Sequence, residues 1–158
     1  IARIEGAALG GGFGLVCVTD VAVASEDARM GLPEVRLGLV PAVISPYVVR
    51  RVGLTRARQL MLTGMRFDGV TARDFGIIHE ALPADRLDLR MEGLLEEIRH
   101  CAPNAIRECK QLIFEVADKA TDATRESRAA LLNRLRLGEE AQEGILAFMQ
   151  RRPAKWAE

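Results

Sequence analysis

The sequence predicts an α/β chain, with a layered core over residues 1–82 and a purely helical region over residues 83–158. Three observations carry this. An apolar run over residues 1–5 breaks into the glycines Gly10, Gly11 and Gly12 and resumes at helical spacing. A second apolar run over residues 21–25 has strand length and no polar alternation, as in a strand buried on both faces. From Pro83 onward the large apolar residues recur only at helical spacing.

Taken in order, residues 1–5 read as a strand already under way, with no initiator Met, so the chain is expected to be a fragment that begins inside a fold. Residues 6–12 form a turn into a helix over about 11–18, and residues 28–31 a short strand leading into Leu32-Pro33-Glu34. Pro33 fixes its own φ and biases Leu32 toward extended geometry, which sets Glu34 just after a rigid bend. Ser45 before Pro46 starts a helix over 47–52 that Gly53 closes, and Thr55 caps another over 56–62 that Gly64 ends. Thr71 caps a short helix over 72–75, and residues 77–82 are the last strand. Four helices follow, marked by Met91, Leu94, Leu95 and Ile98; by Ile106, Cys109, Ile113 and Val116; by Leu131, Leu132 and Leu135; and by Ile145, Phe148 and Met149. That is more apolar stripe than half a sheet can cover, so part of it is expected to meet another subunit.

Of the 158 residues, 49% are apolar and 28% charged, which places the chain among globular domains and away from disordered or membrane classes. Lys plus Arg and Asp plus Glu both number 22, so no overall field favours nucleic acid or a membrane surface. Positive charge gathers locally at Arg50, Arg51, Arg56, Arg58, Arg151 and Arg152, as solvated helix faces or as phosphate contacts. The odd set Cys17, Cys101 and Cys109 lacks metal-ligand spacing and reads as reduced, partly buried thiols of a cytoplasmic protein. His79 and His100 stand in separate segments, so no metal is expected, and no apolar stretch reaches the length of a membrane span.

The triple glycine fits neither nucleotide pattern. No Lys-Ser/Thr pair follows Gly14, and Leu15 stands where the third glycine of G-x-G-x-x-G belongs. Two readings remain: a close helix–strand crossing, or an oxyanion site in which an N–H near Gly11 donates to an acyl oxygen. Glu34 lies among Leu32, Pro33, Val35, Leu37 and Leu39, surroundings that disfavour the charged form and suit a proton donor. The competing reading pairs Glu34 with Arg29 or Arg36. Asp20 reads as a structural hydrogen-bonding group and His79 as a satisfied core histidine. With no serine in a G-x-S-x-G elbow, nucleophilic acyl transfer has little support.

Together these residues resemble the crotonase superfamily, the enoyl-CoA hydratase/isomerase fold. The matching stretches are residues 4–14 with Asp20, residues 31–38, Pro41, residues 50–53, Leu62-Thr63-Gly64, residues 72–76, and Glu143-Gly144 with Phe148, Arg151 and Arg152. The resemblance implies a crotonase-like spiral core of ββα turns, here without its N-terminal part, and a C-terminal helical trimerisation region. It implies that Gly11 gives one of two oxyanion N–H groups and that Glu34 delivers a proton to the α-carbon. Gly10, Gly12, Gly14, Pro41 and Ala42 would then contact the acyl-CoA thioester, while Phe148 and Arg151 touch coenzyme A bound to a neighbouring subunit. Coenzyme A enters as part of the substrate, with no separate cofactor; the assembly implied is a homotrimer or a dimer of trimers.

Two-glutamate hydratases carry a Glu where this chain has Gly14. The bulkier run over residues 42–46 resembles bacterial hydratases of branched, methylglutaconyl- and isohexenylglutaconyl-type acyl-CoA, in which Gly often stands at this place too. The activity expected is hydration of an α,β-unsaturated acyl-CoA by an oxyanion hole and one glutamate. An isomerase that works with one carboxylate, and a crotonase-fold binding or assembly subunit without catalysis, are the alternatives.

Overall fold

The computed structural model describes residues 1–157. Two small sheets organise the first part of the chain. Strands β1 (Ala2–Ile4), β3 (Ala22–Ser25) and β6 (Glu80–Leu82) lie in that order, all parallel, with Ala2 opposite Ala22 and Val23 opposite Glu80. Strand β2 (Ala7–Leu9) runs parallel to β4 (Arg29–Gly31), which pairs antiparallel with β5 (Arg66–Phe67). Every residue of β3 is buried, as the unalternating run of residues 21–25 requires. Strands β2 and β5 were not expected. Two or three residues are too short to show an alternation, and only pairing with β4 defines them.

Helix α1 (Gly11–Cys17) follows the glycine run and buries Phe13, Val16 and Cys17 in the core. Phe13 meets Phe67 edge to face, and Met30, Leu32 and Leu60 are fully buried beside them. Each such side chain contributes about 1.5–3 kcal/mol. Burial also pushes the Cys17 thiol up to about 11, whereas Cys101 and Cys109 are exposed, so partial burial describes neither of those two.

Helix α2 (Ser45–Thr63) joins the two helices read from the sequence, bent where Gly53 leaves helical geometry at φ 70° and ψ 167°. Arg51 ties this helix to the sheet: its Nε donates to the Ile77 carbonyl at 2.8 Å and its Nη1 to the Thr19 carbonyl at 3.0 Å. Arg56 lies 3.8 Å over the Phe75 ring, so two cations of the basic cluster have structural partners. Helix α3 (Gly69–Asp74) is capped by Asp68, which accepts from the Thr71 N–H at 2.8 Å, and not by Thr71 itself. An Asp three residues before the expected cap competes for the same role, and its carboxylate is the stronger acceptor. His79 lies before β6 and is exposed, its Nδ1 accepting from the Ala22 N–H at 3.1 Å; it is a strand-end acceptor and not a core histidine.

The chain separates into two compact units, Ile1–Glu92 and a second that begins at Gly93, the division falling inside α4 (Leu87–Arg99). The second unit contains α5 (Pro103–Ala117), α6 (Arg125–Arg136) and α7 (Glu139–Gln150). Helix α5 turns inward the face carrying Glu108, which accepts from Arg134 of α6 at 2.7 Å. That bond holds the Glu108 carboxyl below its ordinary range. Part of the apolar stripe of α5 lies open in this chain, with Ile113 57% exposed.

Candidate active site

Gly10 turns the chain from β2 into α1. Its φ of 54° and ψ of −121° suit glycine alone, its N–H donates to the Gly31 carbonyl at 3.0 Å, and its carbonyl accepts from Gly14 at 3.1 Å. A Cβ placed on Gly10 would stand 3.2 Å from Glu34 Oε1. The bare backbone is what lets the carboxylate approach so closely. Gly11 opens α1, and its N–H, like other first-turn amides, has no acceptor inside the helix.

Glu34 stands in the 3-10 turn Pro33–Leu37, whose start is fixed by Pro33 and by the fully buried Leu32. Gly38 closes the turn at φ 71°, and the Leu39 N–H returns to the Glu34 carbonyl at 3.0 Å. The backbone under the carboxylate is therefore held from both sides. Glu34 Oε2 is buried and has no hydrogen-bond partner among the described residues, so the pairing with Arg29 or Arg36 is not formed. A carboxylate oxygen removed from water with no donor is a costly arrangement that a ligand donor would relieve.

Gly11, Glu34, Pro41 and Ala42 line one cavity of about 180 Å³, together with Val40, Val43 and Ile44. Gly12 lies instead along a separate, larger cleft of about 290 Å³ beside β1 and β2, with Ile4 and Ala8. Gly14 is buried against Ile44, which the sequence marks only as part of the bulky run over residues 42–46. No local pattern marks that contact, because the two residues meet only in the folded chain.

Phe148 and Arg151 belong to the second unit, on α7 and at its C-cap. Phe148 is 86% exposed, and Arg151 adopts the left-handed φ of 55° that ends the helix. The neighbouring Arg152 is the engaged cation, donating to both oxygens of Glu143 at 2.6 and 3.0 Å, while the Lys155 N–H donates to Glu143 at 3.1 Å. Gly144 leaves room for Trp156, whose ring would lie 3.1 Å from a Cβ there and whose Nε1 donates to the His100 carbonyl at 3.1 Å. The Glu143-Gly144 pair thus anchors the residues after α7.

The Arg152 guanidinium holds the Glu143 carboxyl down at about 2. A carboxyl so depressed stabilises the fold fully above the unfolded value of 4.5, and that stability is lost as pH falls toward about 2. The melting temperature of the full-length protein should therefore exceed that of Glu143→Gln near neutrality, and the gap should close between about pH 4.5 and about pH 2. Thermal unfolding of both proteins across that range checks this.

Among the described residues no group of His, Cys, Asp and Glu is placed to hold a metal ion, and no helix is long and apolar enough to cross a membrane.

The model of the enoyl-CoA hydratase/isomerase family matches residues 1–158. The chain belongs to that family. A solved structure of AtuE from Pseudomonas aeruginosa is 48% identical with a TM-score of 0.95, over 99% of this chain and 61% of that one. An enoyl-CoA hydratase/isomerase from Marinobacter aquaeolei is 44% identical with a TM-score of 0.95, over 99% of this chain and 60% of that one. The 2,3-dehydroadipyl-CoA hydratase of Escherichia coli K12 is 34% identical over 154 residues, 96% of this chain and 60% of that protein. The chain therefore spans less than two thirds of the length of these relatives. Its fold is that of the crotonase superfamily, part of the α/β core followed by a helical C-terminal region.

Proposed function

We propose that the protein containing this chain is an enoyl-CoA hydratase, adding water across the α,β-double bond of an acyl-CoA thioester. The observation that carries the reading is that Glu34, with one carboxylate oxygen buried and unpartnered among the described residues, lines the same cavity as Gly11. In this reading the Gly11 N–H donates to the thioester oxygen as charge develops there during enolate formation. One such donor is worth about 2.7–4 kcal/mol of transition-state stabilisation. Glu34 takes a proton from water as the water oxygen bonds to the β-carbon and the double-bond electrons pass to the enolate, and it then gives that proton to the α-carbon, so a single carboxyl ends the sequence in its starting state. Pro41 and Ala42 line the acyl site, and Gly10 keeps Glu34 close to the amide. Phe148 and Arg151 serve coenzyme A in a homotrimer or dimer of trimers, the arginine facing a phosphate. The acyl group is branched and of glutaconyl type, and the protein works in the cytoplasm.

A second reading has support from one observation: the space beside Gly14 is filled by Ile44, so one carboxylate serves the site. One carboxylate suffices for an isomerase that shifts a double bond. Turnover of glutaconyl-type and straight-chain enoyl-CoA thioesters by the full-length protein in heavy-oxygen water separates the readings. Label in a hydroxyacyl product is the expected result. An unlabelled, shifted double bond would favour the isomerase, and tight binding of the whole panel without turnover would favour a non-catalytic subunit.

A further inference from the structure

Gly14, unlike Gly11 and Gly12, has a neighbouring side chain that leaves no room for a Cβ. Its φ is not among the positive ones, and a glycine within a helix weakens it relative to alanine, so backbone conformation gives no reason for it. Gly11 and Gly12 would meet nothing within 4 Å if they carried a Cβ. A Cβ on Gly14 would overlap Ile44 Cγ2 and lie 2.7 Å from Ile44 Cβ. Rotation about χ1 cannot relieve the second contact, because it does not move Cβ.

Ile44 is also fixed where it stands. The Pro41 carbonyl accepts from the Ser45 N–H at 3.0 Å, and Ser45 Oγ donates to the Ala42 carbonyl at 3.0 Å. The Ile44 carbonyl accepts from Tyr47 and Val48 at 3.1 Å each, at the start of a helix with Pro46 in its first turn. Its β-branched side chain is stiff and packs against the core while lining the cavity of Glu34.

We infer that Ile44 determines the form of this site: it takes the volume in which a second acid–base group on α1 would stand, and it gives the acyl cavity an apolar wall that selects substrate. The specificity part rests on the hydratase reading; the packing part does not. A side chain at position 14 and a branched one at position 44 are mutually exclusive.

Gly14→Ala and Ile44→Ala, made singly and together in the full-length protein, test this. Gly14→Ala alone should lower the melting temperature by about 5 °C or more, against the gain helix propensity would give. With Ile44→Ala present, the same change should be neutral or raise it. An equal effect in both backgrounds would overturn the proposal. If Gly14→Ala alone yields no folded protein, recovery of folded protein in the double variant supports it, and no recovery overturns it. Ile44→Ala should also shift the kcat/KM ratio of a bulkier over a smaller acyl-CoA by about tenfold; an unchanged ratio would overturn the specificity part. The melting arm needs no substrate, so failure of the hydratase reading shows separately, as absence of turnover in the unaltered protein.

Discussion

Glu34→Gln in the full-length protein should lower kcat for hydration by about 10²–10⁴-fold, with KM changed by no more than a few-fold. The substitution is nearly isosteric, so the cavity shared with Gly11 keeps its shape and the acyl group keeps its contacts. Only the capacity to carry a proton is removed. Folding should not suffer: Oε2 makes no hydrogen bond in the folded chain, and an amide avoids desolvating a charge there. The melting temperature of the variant should accordingly match or exceed that of the unaltered protein. Steady-state kinetics and thermal unfolding on the same preparations check both halves. Undiminished turnover would remove Glu34 from the mechanism.

Gly10→Val should damage stability and turnover together. At φ 54° and ψ −121° a β-branched residue is strained by about 1–3 kcal/mol. Its Cβ would also press on Glu34 Oε1 from 3.2 Å, with further atoms beyond it. The carboxylate must then leave the glycine turn or the turn must open, and either movement separates it from the Gly11 amide. The expected outcome is a melting temperature lower by several degrees and a kcat/KM lower by at least about tenfold. A variant that melts and turns over like the unaltered protein would show that the closeness of Gly10 and Glu34 is unimportant.

The sequence disclosed those parts of the fold that depend on neighbouring residues in the chain. Gly10 to Gly12 announced the turn into α1, Pro33 the bend before Glu34, and Gly53 and Gly64 the break and end of α2. Strands β2 and β5 stayed hidden because each exists only through its pairing with β4. Thr71 and Asp68 were rival caps that only the folded turn separated. In the site, Glu34, Gly11, Pro41 and Ala42 were legible and share a cavity. Ile44 was legible only within the bulky run 42–46, and its contact with a glycine on another element was not. The open face of α5 was legible in outline, because the helical stripes exceed what half a sheet can cover, but periodicity shows only which side of a helix is apolar, not what covers it.

The parallel ladder of β1, β3 and β6 has a consequence in time. Between Ser25 and its partner Leu82 the chain passes through β4, the Glu34 turn, the Ile44 loop, α2 and α3 before it returns. At the mouth of this excursion the Ala22 N–H meets His79 Nδ1, 57 residues away in the chain. Pairing over such separations is slow to form, because the entropy of bringing the ends together is spent before the contacts exist. The carboxylate turn travels inside the excursion, while the glycine turn that it must meet lies outside, between β1 and β3. The nearer pairing of β2 with β4, and the bond from the Gly10 N–H to the Gly31 carbonyl, join the two turns without β6, so the proton carrier and its amide can come into register before the ends of the excursion meet.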